Sequence, residues 1–337
     1  MFFMGMKKYF FLGMVTMLAL VSCHNLSNED LDNMVSSETE GWKMTMVAVE
    51  AGSKASVAED QVVGGSRLPV RWDEADKVMM MIGTDADHVI PCEFVLKGEA
   101  TIGSAVFEYV GDKVDPYFYY GIYPSLDFDE EGNVHLSVPV DGTIEQIELD
   151  DSRHLGTYRA MYSAPMEREE CSPILTGVLF RHLTGLVIFK IANMTDEKHY
   201  VREVQLATSD GTPVFYASAL FNPVEQEFTA LPEHPVSSTS LRFKGNGFML
   251  PPNETHKAYL PVLPTEDFSN VPLLIRMTMD NGEVVTKELP LSVSESLGKF
   301  FPGTYCIFNV KKTTTGLSVG IETSGWENGS EIVIPVP

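Results

Sequence analysis

An acidic stretch, DFDEEGNVHLSV, has side chains that could bind calcium. Asp127, Asp129 and Glu131 stand at alternate positions and Gly132 follows, as in the first half of an EF-hand loop. The twelfth position of such a loop needs a bidentate glutamate, but Val138 stands there. Because the flanking residues have strand character, we interpret this stretch as a hairpin loop and keep a calcium site as the less favoured alternative.

The remaining polar residues show no pattern that is typical of an enzyme. The sequence lacks HExxH, GxSxG, a Walker loop and GxGxxG after a strand. Adjacent acids such as Asp150 and Asp151 would point to opposite faces of a strand, so they cannot converge as the carboxylate pair of a glycosidase. His182 stands among apolar residues, which favours a hydrogen-bonded core histidine over a metal ligand. We therefore predict no catalytic residue, no metal and no cofactor.

Cys23 is the residue with the clearest chemistry, as the acceptor of an acyl chain. Lys7 and Lys8 form a short basic N-terminal region, and residues 9–21 form an uncharged apolar stretch. This stretch is shorter than the about 20 residues that a membrane-spanning helix needs, and it has the composition of a secretory signal. The sequence LVSC, which ends at Cys23, resembles the signal of bacterial lipoproteins. We predict a lipoprotein signal peptide at 1–22 and lipidation of Cys23; an ordinary signal peptide is the alternative.

Residues 23–40 are predicted to form a flexible acidic tether. The stretch SNEDLD resembles the acidic export signal of surface lipoproteins in Bacteroidetes. A solvated linker would have the same composition, so both interpretations stay open. Both place the folded part of the chain outside the cytoplasm.

The bulk composition limits the partners and the fold. The 337 residues carry a formal net charge of −23, which argues against nucleic acid as a partner, because its phosphates need Lys and Arg. Hydrophobic residues make up 44% of the chain, enough for a core, and the length favours two domains. Cys92, Cys171 and Cys306 are predicted to be unpaired, buried thiols.

Short strand signals dominate the sequence after the tether. Runs such as KVMMMIG, GLVIFKIAN and TYCIFNV are rich in β-branched, aromatic or long apolar residues and are bounded by turn residues. Asn281-Gly282 separates two alternating runs, the pattern of a tight hairpin. Residues 143–149 and 292–297 could each form a turn of helix. The pattern predicts an all-β architecture of two sandwich domains, 41–175 and 176–337, with the break in a charged passage near 173–177.

Four passages, in this order, resemble the fimbrillin family of Bacteroidetes, the Mfa-like outer-membrane lipoproteins that build or cap surface pili. They are VRWDEADKVMMMI with Trp72 and Asp76, YFYYGIYPS with Tyr123-Pro124, VLFRHLTGLVIFKIAN with Phe180 and His182, and FPGTYCIFNVKK followed by TSGWENGSEIVIPVP. Ala75 stands where the family usually has glycine. The resemblance covers nearly the whole mature chain. The same aromatic residues would be core anchors in any β-sandwich.

The resemblance implies two tandem transthyretin-like β-sandwich domains, export as a lipoprotein, and polymerisation by strand exchange after cleavage by an Arg-specific protease. Arg67 and Arg71 are the only arginines before the second strand, so they are the candidate cleavage positions. Arg67 is preferred because two glycines and a serine precede it and make it accessible. That neither arginine is cut is the alternative.

We therefore expect a structural or adhesive subunit, or an anchor, of cell-surface fimbriae. Its partners would be other fimbrial subunits, the outer membrane through the lipid anchor, and a host or bacterial surface ligand. The alternative is a surface glycan-binding lipoprotein of a polysaccharide-uptake system, which would need exposed aromatic platforms. Trp42, Trp72 and Trp326 each stand near a strand end instead of in a loop cluster, which favours the fimbrial subunit.

The last residues, EIVIPVP, are apolar where most chains end in a polar, frayed segment. Ile332, Val333, Ile334 and Val336 are predicted to form a strand. In the isolated precursor we expect this strand to close its own sheet, and in an assembled fibre to be donated to a neighbouring subunit. The groove that accepts it would be vacated by residues 43–49.

Overall fold

The computed structural model describes residues 42–50, 71–74, 76–99, 101–148, 150–230, 235–325 and 332–334. These residues form strands and two short helices, so the prediction of an all-β fold is confirmed. Cys23, Arg67 and Val336, together with the predicted signal peptide and tether, lie outside the described residues.

The elements follow the chain in this order. The first half contains β1 (Trp42–Glu50), β2 (Arg71–Trp72), β3 (Lys77–Gly83), β4 (Val89–Leu96), β5 (Thr101–Ile102), β6 (Ser104–Gly111), β7 (Phe118–Tyr123), β8 (Val134–Ser137), β9 (Glu145–Gln146), α1 (Leu155–Tyr158), β10 (Met161–Glu167) and β11 (Ile174–His182). The second half contains β12 (Gly185–Asn193), β13 (His199–Thr208), β14 (Ser218–Asn222), β15 (Glu227–Ala230), β16 (Ser238–Phe243), β17 (Phe248–Leu250), β18 (Thr255–Val262), β19 (Leu273–Met279), β20 (Val284–Glu288), α2 (Leu291–Leu297), β21 (Thr304–Thr313), β22 (Gly316–Gly325) and β23 (Ile332–Ile334).

Seven strands of the first half close into a barrel. They pair in the order β1-β11-β10-β7-β3-β4-β6, and β1 returns to β6. Apolar residues alternate along the strands, so Val78, Met80 and Ile82 of β3 all point into a buried interior. The barrel therefore has its own core, with Phe94 and Phe107 among its largest fully buried side chains.

Two sheets of the second half enclose another core. One has five strands in the order β18-β12-β21-β22-β23. The other has six strands: five in the order β20-β19-β13-β16-β9, and β17, which pairs with β13. Phe189 and Phe308 stack in the first sheet with ring centroids 5.8 Å apart, and they share a core with Leu206 and Ile275 of the second sheet. The shared core makes this pair of sheets a sandwich.

Two short strands of the first half complete the sandwich instead of the barrel. β8 pairs antiparallel with β14 in a third, three-stranded sheet, β15-β14-β8, which contributes to the same core, and β9 pairs parallel with β16 of the six-stranded sheet. The side chains of Val134, Leu136 and Ile144 consequently lie in the sandwich core. The chain between β7 and β10 thus leaves the barrel, contributes to the sandwich and then returns.

The predicted domain boundary between residues 175 and 176 falls inside β11. This strand pairs with β1 and β10, so it belongs to the barrel through His182. The sandwich resumes with β12 at Gly185, after a bend at Leu183 and Thr184. The charged passage that suggested a boundary consists of the loop 168–173 between two barrel strands and the start of β11. The division into two domains stays a prediction, with its boundary moved to this bend.

Local predictions have mixed outcomes. The hairpin at Asn281-Gly282 is present: Gly282 has φ 83°, and Asn281 Oδ1 accepts a hydrogen bond from the Glu283 amide at 2.9 Å. A helix, α2, forms at the second predicted helical turn, but residues 143–149 contain strand β9 instead of a helix because the β16 edge pairs with them. None of the helices in the described part of the chain is long and apolar enough to cross a membrane.

The cysteine prediction is wrong at one position. Cys92 and Cys306 are buried and unpaired, as expected, and burial raises the pKa of the Cys92 thiol to about 11. Cys171 is exposed in the loop before β11, where its Sγ lies 3.7 Å from Asp115 Oδ1. Acidic and basic neighbours keep that loop in water, so the thiol does not enter a core.

Candidate functional site

Strand β1 closes the barrel between β6 and β11. It pairs antiparallel with β6 over eight positions, from Trp42↔Gly111 to Val49↔Ser104. It pairs parallel with β11 over five positions, and the Thr45 amide donates a hydrogen bond to the carbonyl of Pro173 at 2.9 Å. In the described pairing order, β1 alone joins β6 to β11. Without β1, the barrel would have an open groove with two unpaired strand edges.

The side chains of β1 fill that groove at alternate positions. Met44, Met46 and Ala48 are fully buried, whereas Lys43 and Val47 are half-buried. Burying one side chain the size of methionine stabilises a fold by about 1.5–3 kcal/mol. β1 is therefore held both by its backbone and by a row of apolar side chains spaced two residues apart.

Trp72 supports both walls of the groove from outside β1. Its fully buried ring makes edge contacts with Phe107 of β6 and Phe180 of β11, at centroid distances of 5.4 Å and 6.0 Å. A third edge contact joins it to Tyr123 of β7 at 5.1 Å. Because one ring contacts both walls, the walls keep a common support if β1 leaves.

Asp76 and Tyr123 extend this support through hydrogen bonds. The Tyr123 hydroxyl donates to Asp76 Oδ1 at 2.9 Å, and the Asp73 amide donates to Asp76 Oδ2 at 2.8 Å. Burial raises the pKa of the Asp76 carboxyl, although the bond from the Asp73 amide acts against this, and burial also raises the pKa of Tyr123. The motif residues Trp72, Asp76 and Tyr123 thus form one network beside the groove, in which Trp72 and Tyr123 are buried and Asp76 is half-buried.

The two candidate cleavage arginines have different surroundings. Arg67 belongs to the connection 51–70 between β1 and β2, which lies outside the described residues. Arg71 pairs with Ile102 of β5, and its neighbour Trp72 is fully buried. Proteases cut exposed, unpaired segments, so the pairing of Arg71 makes it the less suitable position. Cleavage at either arginine stays a prediction.

The predicted donor strand lies on its own sheet. β23 pairs antiparallel with β22 over three positions, from Ile321↔Ile334 to Thr323↔Ile332. It is the outermost strand of the five-stranded sheet, while β1 lies in the barrel. The structure therefore does not bring Ile332, Val333 or Ile334 to the groove within one chain.

Other sequence candidates have local structural roles. Asp129 Oδ1 accepts hydrogen bonds from the amides of Glu131 at 3.1 Å and Asn133 at 2.7 Å, which closes a hairpin loop and lowers the pKa of Asp129. His182 is buried at the end of β11. Across the described ranges, no group of three or more His, Cys, Asp or Glu residues is placed to hold a metal ion.

The two described tryptophans, Trp42 and Trp72, do not form a platform for a sugar ring. Trp72 is fully buried, and Trp42 is half-buried beneath the ammonium of Lys113, 5.5 Å from its ring centroid. Trp326 lies outside the described residues. The described part of the chain therefore offers no tryptophan face of the kind that the glycan-binding alternative needs.

The fold is shared with solved structures from Bacteroides. A proposed cell adhesion protein from Bacteroides uniformis is 13% identical, with a TM-score of 0.57 over 84% of this chain and 99% of that chain. Another, from Bacteroides ovatus, is 14% identical, with a TM-score of 0.59 over 86% of this chain and 99% of that chain. No protein-family model and no curated protein matches the sequence. At these identities the likeness shows that this chain has the fold of these two proteins.

Proposed function

We propose that this protein is a structural and adhesive subunit, or an anchor, of cell-surface fimbriae, and that it polymerises by strand exchange. The observation that carries this proposal is the position of β1, which completes the barrel and continues into the connection that contains Arg67. The passages that resemble fimbrillins support it, as does the fold shared with proposed cell adhesion proteins.

Cleavage after Arg67 would leave β1 bound to the barrel only by noncovalent contacts. Its departure would uncover the groove between β6 and β11, lined by apolar side chains that include Phe107, Val178 and Phe180. An open groove with two free strand edges is a template for another strand. The contacts of Trp72 keep the two walls in place while the groove is empty.

The C-terminal strand of a second subunit has the spacing that the groove requires. β1 buries residues 44, 46 and 48, and the tail carries Ile332, Ile334 and Val336 at the same two-residue spacing. On its own sheet, β23 has three pairs with a single neighbour, whereas a strand in the groove has two neighbours. The tail therefore gains backbone hydrogen bonds in the groove, which offset part of the bonds that are lost when β1 leaves.

Incubating the purified mature protein with an Arg-specific protease tests this proposal. We expect fibres in electron micrographs only after the protease treatment, and N-terminal sequencing should find Leu68 as the new first residue. Arg67→Ala should prevent cleavage and fibres, whereas Arg71→Ala is the matched control and should leave both unchanged. Fibres from uncleaved Arg67→Ala protein, or polysaccharide binding by a protein that never forms fibres, would contradict the proposal.

Lipidation of Cys23 would hold an anchor subunit on the outer membrane at the cell surface. Each buried methylene of an acyl chain contributes about 0.8 kcal/mol, so two or more chains hold a protein stably. Cys23→Ala should leave an unprocessed or mislocalised precursor, because the thiol is the acyl acceptor. Metabolic labelling with a palmitate analogue measures this; a variant that is labelled as strongly as the wild type would disprove lipidation at Cys23.

A further inference from the structure

Strand β18 is an edge strand of the five-stranded sheet, opposite β23. Lys257 and Tyr259 direct their backbone N–H and C=O groups away from β12, toward the free side of this edge. All four groups form hydrogen bonds, but their partners are side chains from residues 146–154 instead of another strand. The edge is therefore closed without a neighbouring strand.

The side-chain amide of Gln146 takes the place of one residue of a parallel strand. Its Oε1 accepts a hydrogen bond from the Tyr259 amide at 3.0 Å, and its Nε2 donates to the Lys257 carbonyl at 2.9 Å. In a parallel pair, one residue likewise bonds to the residues before and after its opposite partner, here Ala258. Gln146 is fully buried, and its Nε2 also donates to the Glu148 carbonyl at 3.0 Å.

Asp150 and His154 satisfy the other two backbone groups. Asp150 Oδ1 accepts a hydrogen bond from the Lys257 amide at 2.5 Å, and its Oδ2 lies 3.0 Å from His256 Nδ1. His154 Nε2 lies 2.6 Å from the Tyr259 carbonyl, so this nitrogen donates. Burial lowers the pKa of His154, which favours the neutral ring.

The same connection also covers the second sheet and the outer face of the first. The backbone of Gln146 pairs with Phe243 of β16, and its carbonyl accepts a hydrogen bond from the Lys244 amide at 3.1 Å. Leu155 of α1 packs with Leu186 and Tyr259 on the outer face of the five-stranded sheet. Opening this connection would expose both the β18 edge and an apolar patch.

An exposed edge strand with an apolar face is a template on which a second chain can pair. The β18 sequence Ala258–Val262 is apolar and buried, so its uncovered edge would favour association. We propose that Gln146, Asp150 and His154 form an edge cap that prevents a second copy of this chain from pairing along β18. The proposal concerns the uncleaved protein and does not depend on fibre formation through the β1 groove.

Hydrogen–deuterium exchange at low protein concentration tests whether the cap protects the edge. In Asp150→Ala/His154→Ala the Lys257 amide, and in Gln146→Ala the Tyr259 amide, should exchange about tenfold faster or more, because each variant removes the acceptor of that amide's hydrogen bond. The amides of Ala258 and Leu260 face β12 and should keep their protection. Asp150 and His154 lie nearer the surface than Gln146, so we expect the double variant to fold. If Gln146→Ala does not fold, the double variant alone tests the proposal.

Association is measured at high concentration by light scattering after size exclusion. We expect dimers of the cap variants, with the freed amide (Lys257 in the double variant, Tyr259 in Gln146→Ala) protected again in the dimer. The matched control is His135→Ala/Asp141→Ala, which changes the same residue types before the cap and should stay monomeric with wild-type exchange. Unchanged exchange, monomers with an open edge, or dimers without renewed protection at β18 would each overturn the proposal.

Discussion

Replacing Trp72 with alanine is expected to lower the free energy of unfolding by about 3–5 kcal/mol, the usual loss for a large aromatic residue in a core. The ring is fully buried and makes edge contacts with Phe107, Tyr123 and Phe180. Because stability totals about 5–15 kcal/mol in most proteins, this single substitution would remove a large part of it. Urea unfolding followed by circular dichroism measures the loss.

Two further variants test whether the loss in Trp72→Ala comes from the contacts of Trp72 with the groove walls or would follow the removal of any tryptophan. Trp42→Ala removes a half-buried tryptophan from β1 and should lower the unfolding free energy by less, about 1–2 kcal/mol. Trp72→Phe keeps an aromatic ring between the groove walls, so it should lower the unfolding free energy less than Trp72→Ala does. If Trp72→Ala lowers the unfolding free energy no more than Trp42→Ala does, Trp72 does not support the groove walls.

Deleting residues 332–337 is expected to leave a folded monomer that cannot polymerise. β23 makes three pairs at the edge of a sheet, so its loss should change the melting temperature little. The same deletion removes all four residues of the proposed donor, so fibre growth after cleavage at Arg67 should stop completely. Thermal unfolding and electron microscopy of the cleaved variant measure the two effects.

A mixing experiment provides the control for this deletion. The truncated subunit keeps its β1 groove, so it can still accept a tail from the wild type but cannot donate one. Increasing its fraction in a mixture should therefore shorten the fibres. Fibres formed by the truncated protein alone would show that the tail is not the donor.

The strands themselves were predictable because their signals are local. Alternating apolar residues and the Asn281-Gly282 turn define β19 and β20 without reference to the rest of the chain. The partner of a strand is not encoded in the same way. β1 pairs with β11, which follows it by more than a hundred residues, and β8 crosses to β14 in the other half. No periodicity in the sequence indicates either pairing.

The candidate site was predictable to the same limited extent. Trp72 is the core anchor that we expected of a large aromatic residue in a β-sandwich, but the bond between Asp76 and Tyr123 joins residues 47 positions apart and has no local signal. No sequence pattern predicts the edge cap either, since a glutamine in a short polar stretch usually lies in solvent. Gln146 is buried because two sheet edges meet there, which only the tertiary structure reveals.

The position of β1 between two strands determines how a fibre joint in this groove would respond to mechanical load. Backbone hydrogen bonds in a sheet run across the strand axis, so tension along a bound strand loads them in shear and they must break together. A force that peels the strand from one end would break them one after another. Tension along the fibre would therefore have to overcome the bonds to β6 and β11 at once, whereas bending at the joint would open it pair by pair.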